Sequence, residues 1–296
     1  MTNDAPRVSI IIPTYLDQQA LQCCLYALSS QTFSFNDFEV LVVDNKSPFS
    51  PLDLVVPSEM NVRFCQEAKP GSYAARNLGI YESRGEVLAF LDADCVPEND
   101  WLAAGIWSLD STGADLLAGC IELTYRSERL MPAECFEKAF AFRQLQNVKN
   151  GVSVTANLFV RKQVFTQVGT FDEEMMSGGD FEWTRRATTR GNRLVYCQNA
   201  VIRHPARMTL KALCSKARRV SAGSRALYRE KRVLDGIRRV ASVFLSDIDY
   251  LRQRSDMTHR ERFWALLVLV YIKVVKVRHR LTLNFSGNRM AQGRER

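Results

Sequence analysis

The chain has 296 residues, 46% of them hydrophobic and 24% charged, a composition typical of a soluble globular protein with one large domain or a domain and an appendage. The formal net charge of +8 is unevenly distributed: residues 203–296 carry 23 basic and 7 acidic side chains, a net charge of +16, which leaves −8 for residues 1–202. An acidic body with a basic tail predicts a polyanionic partner, either lipid headgroups, nucleic acid or a phosphorylated substrate.

The cysteines and the N-terminus bear on cellular location. The eight cysteines form no CxxC pair and have no histidine at the spacing of a zinc site, so we expect them to be reduced and mostly buried. The segment MTNDAPRVSI has no apolar core of a secretory signal. Both features predict a cytoplasmic protein, peripheral on the cytoplasmic face of the membrane if its tail binds lipid.

Apolar runs alternate with helical patterns through the first third of the chain. Strands are predicted at 8–15, 38–45, 61–67 and 86–94, and helices at 17–31, 71–84 and 98–111. This alternation predicts right-handed βαβ units and a mostly parallel sheet covered by helices on both faces. Ligands of such sheets bind outside the carboxyl ends of the strands, so the polar residues that end these strands are expected to line one mouth.

The pattern is looser farther along the chain. Strands are predicted at 115–125, 153–162 and 193–205, with helices at 132–150 and after the glycines of 177–191. Basic helices are predicted at 210–232 and 237–254.

The stretch LAFLDADC, residues 88–95, ends an apolar strand with two carboxylates. In an extended chain Asp92 and Asp94 project to the same side, and two like charges that close repel each other. A divalent cation bound with a diphosphate would relieve this repulsion, and carboxylate oxygens suit Mg²⁺ or Mn²⁺. The alternative is a solvated turn that ends the strand.

Six motifs follow one another over roughly residues 8–205: IIPTY, VVDN, GSYAARNLG, FLDADC, TANLFVRKQVFTQVGTFDE and SGGDFEW. In this order they resemble the motifs of the family-2 glycosyltransferases with a GT-A fold. The resemblance implies an α/β, Rossmann-like, mostly parallel mixed sheet flanked by helices. It also implies a catalytic domain at 1–206, followed by a basic helical C-terminal extension at 207–296.

The resemblance also implies binding roles. The predicted contacts to a nucleotide-sugar donor are Pro13, Thr14, Tyr15, Asp44, Lys69, Gly71, Arg76, Asn77 and Asp92. Independently, a glycine at a helix N-terminus with an arginine nearby favours phosphate, and the alternative is that Arg76 is a solvated helix residue. Asp92 and Asp94 match the family's DxD motif, with Asp94 as ligand of Mn²⁺ or Mg²⁺. His204 matches a histidine that often joins the metal shell, and the alternative is a structural histidine.

The motif SGGDFEW supplies the implied general base. Asp180 aligns with the acidic residue that takes the proton from the acceptor hydroxyl, and the alternative, a helix cap, does not exclude that role. The family commonly carries the pair ED here, whereas this chain has Gly179 before Asp180. Further candidates for acceptor contact are Asn157, Glu182 and Trp183, the last of which could instead be a core residue.

Residues 262–281 form the most apolar part of the basic tail. The unbroken apolar run, from Phe263 to Ile272, is too short to span a bilayer, and Lys273 and Lys276 interrupt its extension. A helix lying in an anionic membrane surface is predicted. The alternatives are packing on the catalytic body or on a second subunit.

The function implied by the resemblance is transfer of a sugar, with inversion, from a nucleotide-diphosphate donor to a glycan or lipid-linked acceptor, in cell-surface polysaccharide synthesis. One alternative is a nucleotidyltransferase, although PTYLDQQA follows the first strand where such enzymes carry a glycine-rich basic loop. A second is a nucleic-acid or anion-binding protein acting through the tail, for which no nucleic-acid motif is present. A third is a degenerate, inactive transferase, against which both Asp94 and Asp180 argue.

Overall fold

A computed structural model describes residues 5–47, 54–227 and 233–292. The chain divides into two compact units. The first comprises Met1–Thr124 with Phe142–Pro205, and the second comprises Tyr125–Ala141 with Ala206–Arg296.

One mixed sheet forms the first unit. Its strands are β1 Val8–Thr14, β2 Phe38–Asp44, β3 Val62–Gln66, β4 Val87–Leu91, β5 Val96–Pro97, β6 Leu116–Thr124, β7 Asn157–Arg161 and β8 Leu194–Pro205. The sheet has eight strands in the order β3-β2-β1-β4-β7-β6-β8-β5. The block β3-β2-β1-β4 is parallel, β7 runs antiparallel to both β4 and β6, and β6 is parallel to β8. The predicted mostly parallel mixed sheet is confirmed.

Helices cover the sheet of the first unit and build most of the second. In chain order the helices are α1 Gln18–Leu28, α2 Ser72–Glu82, α3 Trp101–Thr112, α4 Pro132–Phe140, α5 Gln144–Lys149, α6 Gln163–Val168, α7 Gly179–Thr189, α8 Leu210–Leu227, α9 Val233–Gln253 and α10 His259–Gln292.

The central strands are buried on both faces, which explains their continuous apolar sequences. Every residue of β2 is buried, as is every residue of β1 up to Ile12. Leu21, Leu25 and Leu28 of α1 pack into the same core cluster as β1 and β2. Each buried leucine contributes about 2 kcal/mol relative to an exposed one. This core fixes the edge at which β1, β2 and β4 end together.

Two of the predicted elements differ in the structure. Strand β4 ends at Leu91, and Asp92 begins a turn in which the Cys95 N–H donates to the Asp92 carbonyl at 3.0 Å. The two carboxylates of LAFLDADC therefore lie in a turn and not in an extended strand. The helix predicted at 132–150 is two helices, because the chain is extended at Ala141 and Phe142 has a φ of +46°. Helix α6 was not predicted.

The second unit is helical and contains α4 together with α8, α9 and α10. Apolar residues of α4 pack against Ala265 and Val268 of α10, and the Lys138 ammonium contacts the Glu261 carboxylate at 3.0 Å. The sequence placed the basic extension at 207–296, whereas the second unit also takes in residues 125–141. Among the described residues, no helix is both long and apolar enough to cross a bilayer.

Candidate functional site

The ends of β1 and β2 border a small hollow. Thr14 and Asp44 are register partners at the last positions of the two strands, and both line it. Asp44 is buried, and its Oδ2 accepts a hydrogen bond from the Ser47 N–H at 2.8 Å. Pro13 precedes Thr14 in the strand, and Tyr15 beyond it is 59% exposed. The hollow combines two carboxylates, Asp44 and the helix cap Asp17, with the apolar walls that a flat heterocycle requires.

Asn45, directly after β2, ties the next loop to this edge. Its side-chain NH₂ donates to the Lys69 carbonyl at 2.7 Å, and its Oδ1 accepts from the Gly71 N–H at 2.7 Å. Gly71 has a φ of +126°, which favours glycine, and it precedes the first residue of α2. The loop is thereby fixed so that the N-terminus of α2 opens at the ends of the parallel strands.

Lys69 and Asn77 contact the segment before α7. The Lys69 ammonium lies 2.7 Å from the Glu174 carboxylate and 3.1 Å from that of Glu173. These hydrogen bonds raise the pKa of Lys69. The Asn77 amide donates to the Phe171 carbonyl and to Glu173, and its Oδ1 accepts from the Phe171 N–H. Both side chains hold this segment in place, and their contact with a nucleotide stays a prediction.

A chain of four side chains links the end of β4 to the start of α7. The Arg76 guanidinium, 5% exposed, donates to Asp92 Oδ1 at 2.5 Å and lies 5.7 Å from the Tyr73 ring centre. The Tyr73 hydroxyl donates to Asp180 Oδ1 at 3.2 Å. Burial raises the pKa of the Asp180 carboxyl, although the Phe181 N–H, Arg76 and Tyr73 act in the opposite direction. Arg76 therefore pairs with Asp92, and its positive charge also acts on Asp180, a carboxylate of a different motif.

Asp94 forms a second cluster with His204 and Cys95. Ligand atoms of the three residues all lie within 4.8 Å of one another, and His204 Nε2 is 3.4 Å from Asp94 Oδ2. His204 Nδ1 lies 2.8 Å from the Pro205 carbonyl, so Nδ1 carries a proton and donates it. In a neutral ring Nε2 then presents its lone pair to a carboxylate, and these atoms repel unless a proton or a metal ion lies between them. This donor set fits a divalent cation.

The structure corrects two candidates for acceptor contact. Asn157 is 0% exposed, and its amide bonds the Trp101 indole and two backbone carbonyls, so it cannot reach an acceptor. Trp183 is also 0% exposed, stacks on Phe165 at 4.3 Å and donates to the Gly169 carbonyl. Both are core residues. Glu182 is engaged by Arg186 one turn later in α7.

Sequence reasoning did not assign Tyr73 or Cys95 to the site. Tyr73 lies within the motif GSYAARNLG, and its spacing gave no indication that it meets Asp180, 107 positions away. Cys95 directly follows the paired aspartates, and that adjacency was the available signal. Burial raises the pKa of its thiol.

Sequence comparisons identify related proteins. The family model described as "Glycosyl transferase family 2" matches residues 9–214. The chain is 38% identical over 250 residues to "Glycosyltransferase AglE" of Haloferax volcanii, covering 83% of this chain and 81% of that protein. It is 23% identical over 219 residues to a Methanococcus voltae protein named "Dolichyl N-acetyl-alpha-D-glucosaminyl phosphate 3-beta-D-2,3-diacetamido-2,3-dideoxy-beta-D-glucuronosyltransferase", covering 69% and 68% of the two chains.

A solved structure has the same fold. "Mannosyltransferase PcManGT from Pyrobaculum calidifontis in complex with GDP-Man and Mn2+" matches with a TM-score of 0.58 and 17% identity, covering 98% of this chain and 81% of that one. The GT-A architecture predicted from the sequence is confirmed by this likeness.

Proposed function

Because the chain belongs to glycosyl transferase family 2 and is a glycosyltransferase, we propose that it moves a sugar from a nucleotide-diphosphate donor to a hydroxyl of a glycan or lipid-linked acceptor. The observation that carries the proposal is the convergence at one sheet edge. The Asp92–Arg76 pair is linked through Tyr73 to Asp180, and Asp94 meets His204 where β4 ends. Family membership sets aside the nucleotidyltransferase and nucleic-acid alternatives.

Asp94 and His204 would hold a divalent cation, Mn²⁺ or Mg²⁺, with the Cys95 thiol beside them. The ion would act as a Lewis acid that neutralises charge on the departing diphosphate. The Pro205 carbonyl supports this assignment, because it fixes the proton on His204 Nδ1 and leaves the lone pair of Nε2 to bind the metal ion. The mannosyltransferase of the same fold was solved with Mn²⁺.

Asp180 acts as the general base of a single displacement. Its carboxylate removes the proton of the acceptor hydroxyl, and the acceptor oxygen bonds to the anomeric carbon as the bond from that carbon to the diphosphate oxygen breaks, inverting its configuration. Among the described residues, two groups donate to this carboxylate, the Tyr73 hydroxyl and the Phe181 N–H, and both donate to Oδ1. Oδ2 therefore takes the proton.

The hollow between Thr14 and Asp44 would receive the nucleoside. An aspartate accepts the imide N–H of uracil or guanine equally well, so the base is left open. Phe64 lines the hollow and is 37% exposed, which suits stacking on a base. Pro13 and Tyr15 would flank this contact. Lys69, Gly71, Arg76 and Asn77 remain proposed as the diphosphate side.

The relatives' names support the acceptor class and the compartment. The Methanococcus protein is named for a dolichyl-linked acceptor, which supports a lipid-linked glycan acceptor here and a role in cell-surface polysaccharide synthesis. All eight cysteines lie in described segments as free thiols, which supports a reducing, cytoplasmic compartment. We therefore propose that the enzyme works at the cytoplasmic face of the membrane.

Helix α10 offers a surface for that membrane. Its exposed apolar side chains repeat every three to four positions, so they lie on one helical face. We call this face the α10 stripe: Phe263, Leu266, Leu267, Val270, Tyr271, Val274 and Leu281, each 36% to 56% exposed. At a rise of 1.5 Å per residue, the stripe is about 27 Å long, which suits a helix lying in the headgroup region.

Charge favours a bilayer over a second copy as the occupant of the stripe. Exposed Arg260 and Arg278 lie near its two ends, and the sequence contains no Asp or Glu from Arg262 through Gln292. A second α10 would bring arginine against arginine, whereas anionic headgroups complement both. Residues that are buried on the opposite side of α10, such as Ala265 and Val268, pack within the second unit.

The catalytic proposal is tested by Asp180→Asn and Asp94→Asn, with Asp37→Asn, at an exposed position, as the matched control. Release of nucleoside diphosphate from a panel of UDP- and GDP-sugars should fall by about 10²- to 10⁴-fold in Asp180→Asn. Asp94→Asn should in addition lose the rise in melting temperature that Mn²⁺ produces, a rise that Asp180→Asn keeps. Near-normal turnover in both variants would contradict the assignment.

The membrane proposal is tested by flotation with vesicles of phosphatidylglycerol and phosphatidylcholine. Leu267→Glu/Val274→Glu should abolish flotation, whereas Val243→Glu/Leu245→Glu, the same changes at exposed positions of α9, should leave it intact. Both variants add the same charge, so net charge alone cannot explain a difference. Equal flotation of the two variants would remove the stripe as the contact surface.

A further inference from the structure

Tyr73, in the first turn of α2, and Gly179, the first residue of α7, are packed against each other. A Cβ atom added at Gly179 would lie 2.8 Å from Tyr73 Cε2 and 2.9 Å from Cζ, distances that real Cβ atoms do not show. The backbone of α7 approaches the phenol ring this closely only because residue 179 has no side chain. The contact brings the Tyr73 hydroxyl to the carboxylate of the next residue, Asp180.

We propose that Tyr73 is a positioning residue of the transferase, whose ring packs against the bare Cα of Gly179 and whose hydroxyl orients the Asp180 carboxylate for proton transfer. The inference rests on the proposed role of Asp180 as the base. It adds that Tyr73 and Gly179 act as a pair, because the ring of Tyr73 fits at this place only if residue 179 has no side chain.

The surroundings of the ring prevent it from moving aside. Tyr73 is 5% exposed, its ring centre lies 5.7 Å from that of Phe171, and the Arg76 guanidinium lies 5.7 Å from the same ring centre. A side chain at position 179 would thus push against a ring with packed neighbours. Burial also raises the pKa of Tyr73, so the hydroxyl stays protonated and remains a donor.

Both defined donors reach the same oxygen of the base. The Tyr73 hydroxyl and the Phe181 N–H converge on Asp180 Oδ1, at 3.2 Å and 2.9 Å. Two donors on one oxygen fix the plane of the carboxylate, whereas the backbone donor alone would let it rotate about its bond. Orientation, and not contact with the substrate, is therefore the role of Tyr73.

The first experiment is Tyr73→Phe, which keeps the ring and removes the donor, with Tyr81→Phe as control. Tyr81 lies on the same helix and is 83% exposed. Because the Tyr73 hydrogen bond lowers the pKa of Asp180, its loss should raise that pKa. The acid limb of kcat/KM against pH should move upward by about one pH unit. A fall in rate with an unmoved limb, or the same change in Tyr81→Phe, would overturn the proposal.

The second experiment tests the pairing by a double-mutant cycle. Gly179→Ala should lower the melting temperature and the rate in the wild-type background, because the new methyl group displaces the ring. In a Tyr73→Ala background, which leaves space for the methyl, the same substitution should change neither. Equal effects in the two backgrounds would refute the pairing.

The two proposals can fail separately. If Asp180→Asn keeps near-normal turnover, the base assignment fails, while the melting temperatures of the cycle still report whether the pair exists. If Asp180→Asn is inactive and the Tyr73→Phe limb does not move, the positioning role fails and the base assignment stands.

Discussion

Replacing Arg76 by methionine tests whether one buried cation holds the site together. Methionine has a similar volume and no charge, so the packing around α2 is largely kept. The change leaves the Asp92 carboxylate without its 2.5 Å partner and removes the positive charge that acts on Asp180.

The expected loss of stability can be worked from the exposure of the two partners. Removing one partner of a fully buried ion pair costs about 3 to 5 kcal/mol. Arg76 is 5% exposed, but Asp92 is 33% exposed and can regain water, so the loss is smaller than for a fully buried pair, about 2 to 3 kcal/mol. For a unit of this size, that loss lowers the melting temperature by roughly 5 to 10 °C.

The assay is thermal unfolding at pH 7, followed by the pH dependence of turnover. The exposed arginine just after α2 gives the control, Arg84→Met, which should change the melting temperature by less than about 2 °C. Arg76 lowers the pKa of Asp180, so its loss should move the acid limb of turnover to higher pH. Equal melting temperatures for wild type and Arg76→Met would refute the idea that this ion pair stabilises the site.

Two further substitutions test buried polar contacts. Glu137 is 1% exposed, and its carboxylate accepts hydrogen bonds from Arg207 at 2.9 Å and from Lys216 at 3.3 Å. Burial raises the pKa of Glu137, but these two cations lower it by more, so that its pKa lies below the ordinary value. A carboxylate with a lowered pKa stabilises the folded state above its ordinary pKa of 4.5, and this stabilisation is lost as the pH falls through its folded-state pKa. Glu137→Gln should therefore destabilise the folded protein by about 2 kcal/mol at pH 7, and by less as the pH falls below 4.5. A difference that grows on acidification would contradict this sign. Asn157→Ala should lower stability by about 2 to 4 kcal/mol, because it leaves the Trp101 indole and two buried carbonyls without partners; an unchanged melting temperature would mean that water replaces the amide.

Local sequence patterns were sufficient for seven of the eight strands of the sheet, all but β5. Runs such as VSIII and FEVLVVD are continuous because both faces of β1 and β2 are covered, and that continuity distinguishes buried parallel strands from half-exposed ones. The polar residues that follow them had to lie at one edge, since parallel strands end together. The break at Phe142 was not predictable from the helical pattern of 132–150. Its ring packs 4.6 Å from the His204 ring, a contact between distant positions that overrides local propensity.

The partner of each site residue could not be deduced from the sequence. Asp92 was expected to contact the donor, and the sequence did not indicate that its side chain binds Arg76, 16 positions earlier. The departure from the pair ED at Gly179 looked like a missing carboxylate, and in three dimensions it makes room for the ring of Tyr73. Asn157 was a candidate because asparagine is common in binding sites, yet buried polar side chains also serve as hydrogen-bond partners of buried backbone carbonyls. The partner of each of these residues is set by contacts between positions far apart in the sequence, which a short stretch of sequence does not reveal.

The assignment of α4 to the second unit has a consequence for synthesis of the chain. Lys138 and its partner Glu261 are 123 positions apart, so at translation rates of about 5 to 20 residues per second the helix waits roughly 6 to 25 seconds for α10 to emerge. During that interval the side of α4 that packs against α10 is bare on the ribosome. A polypeptide that stops near residue 206 keeps it bare permanently, and is expected to aggregate where the full-length chain does not.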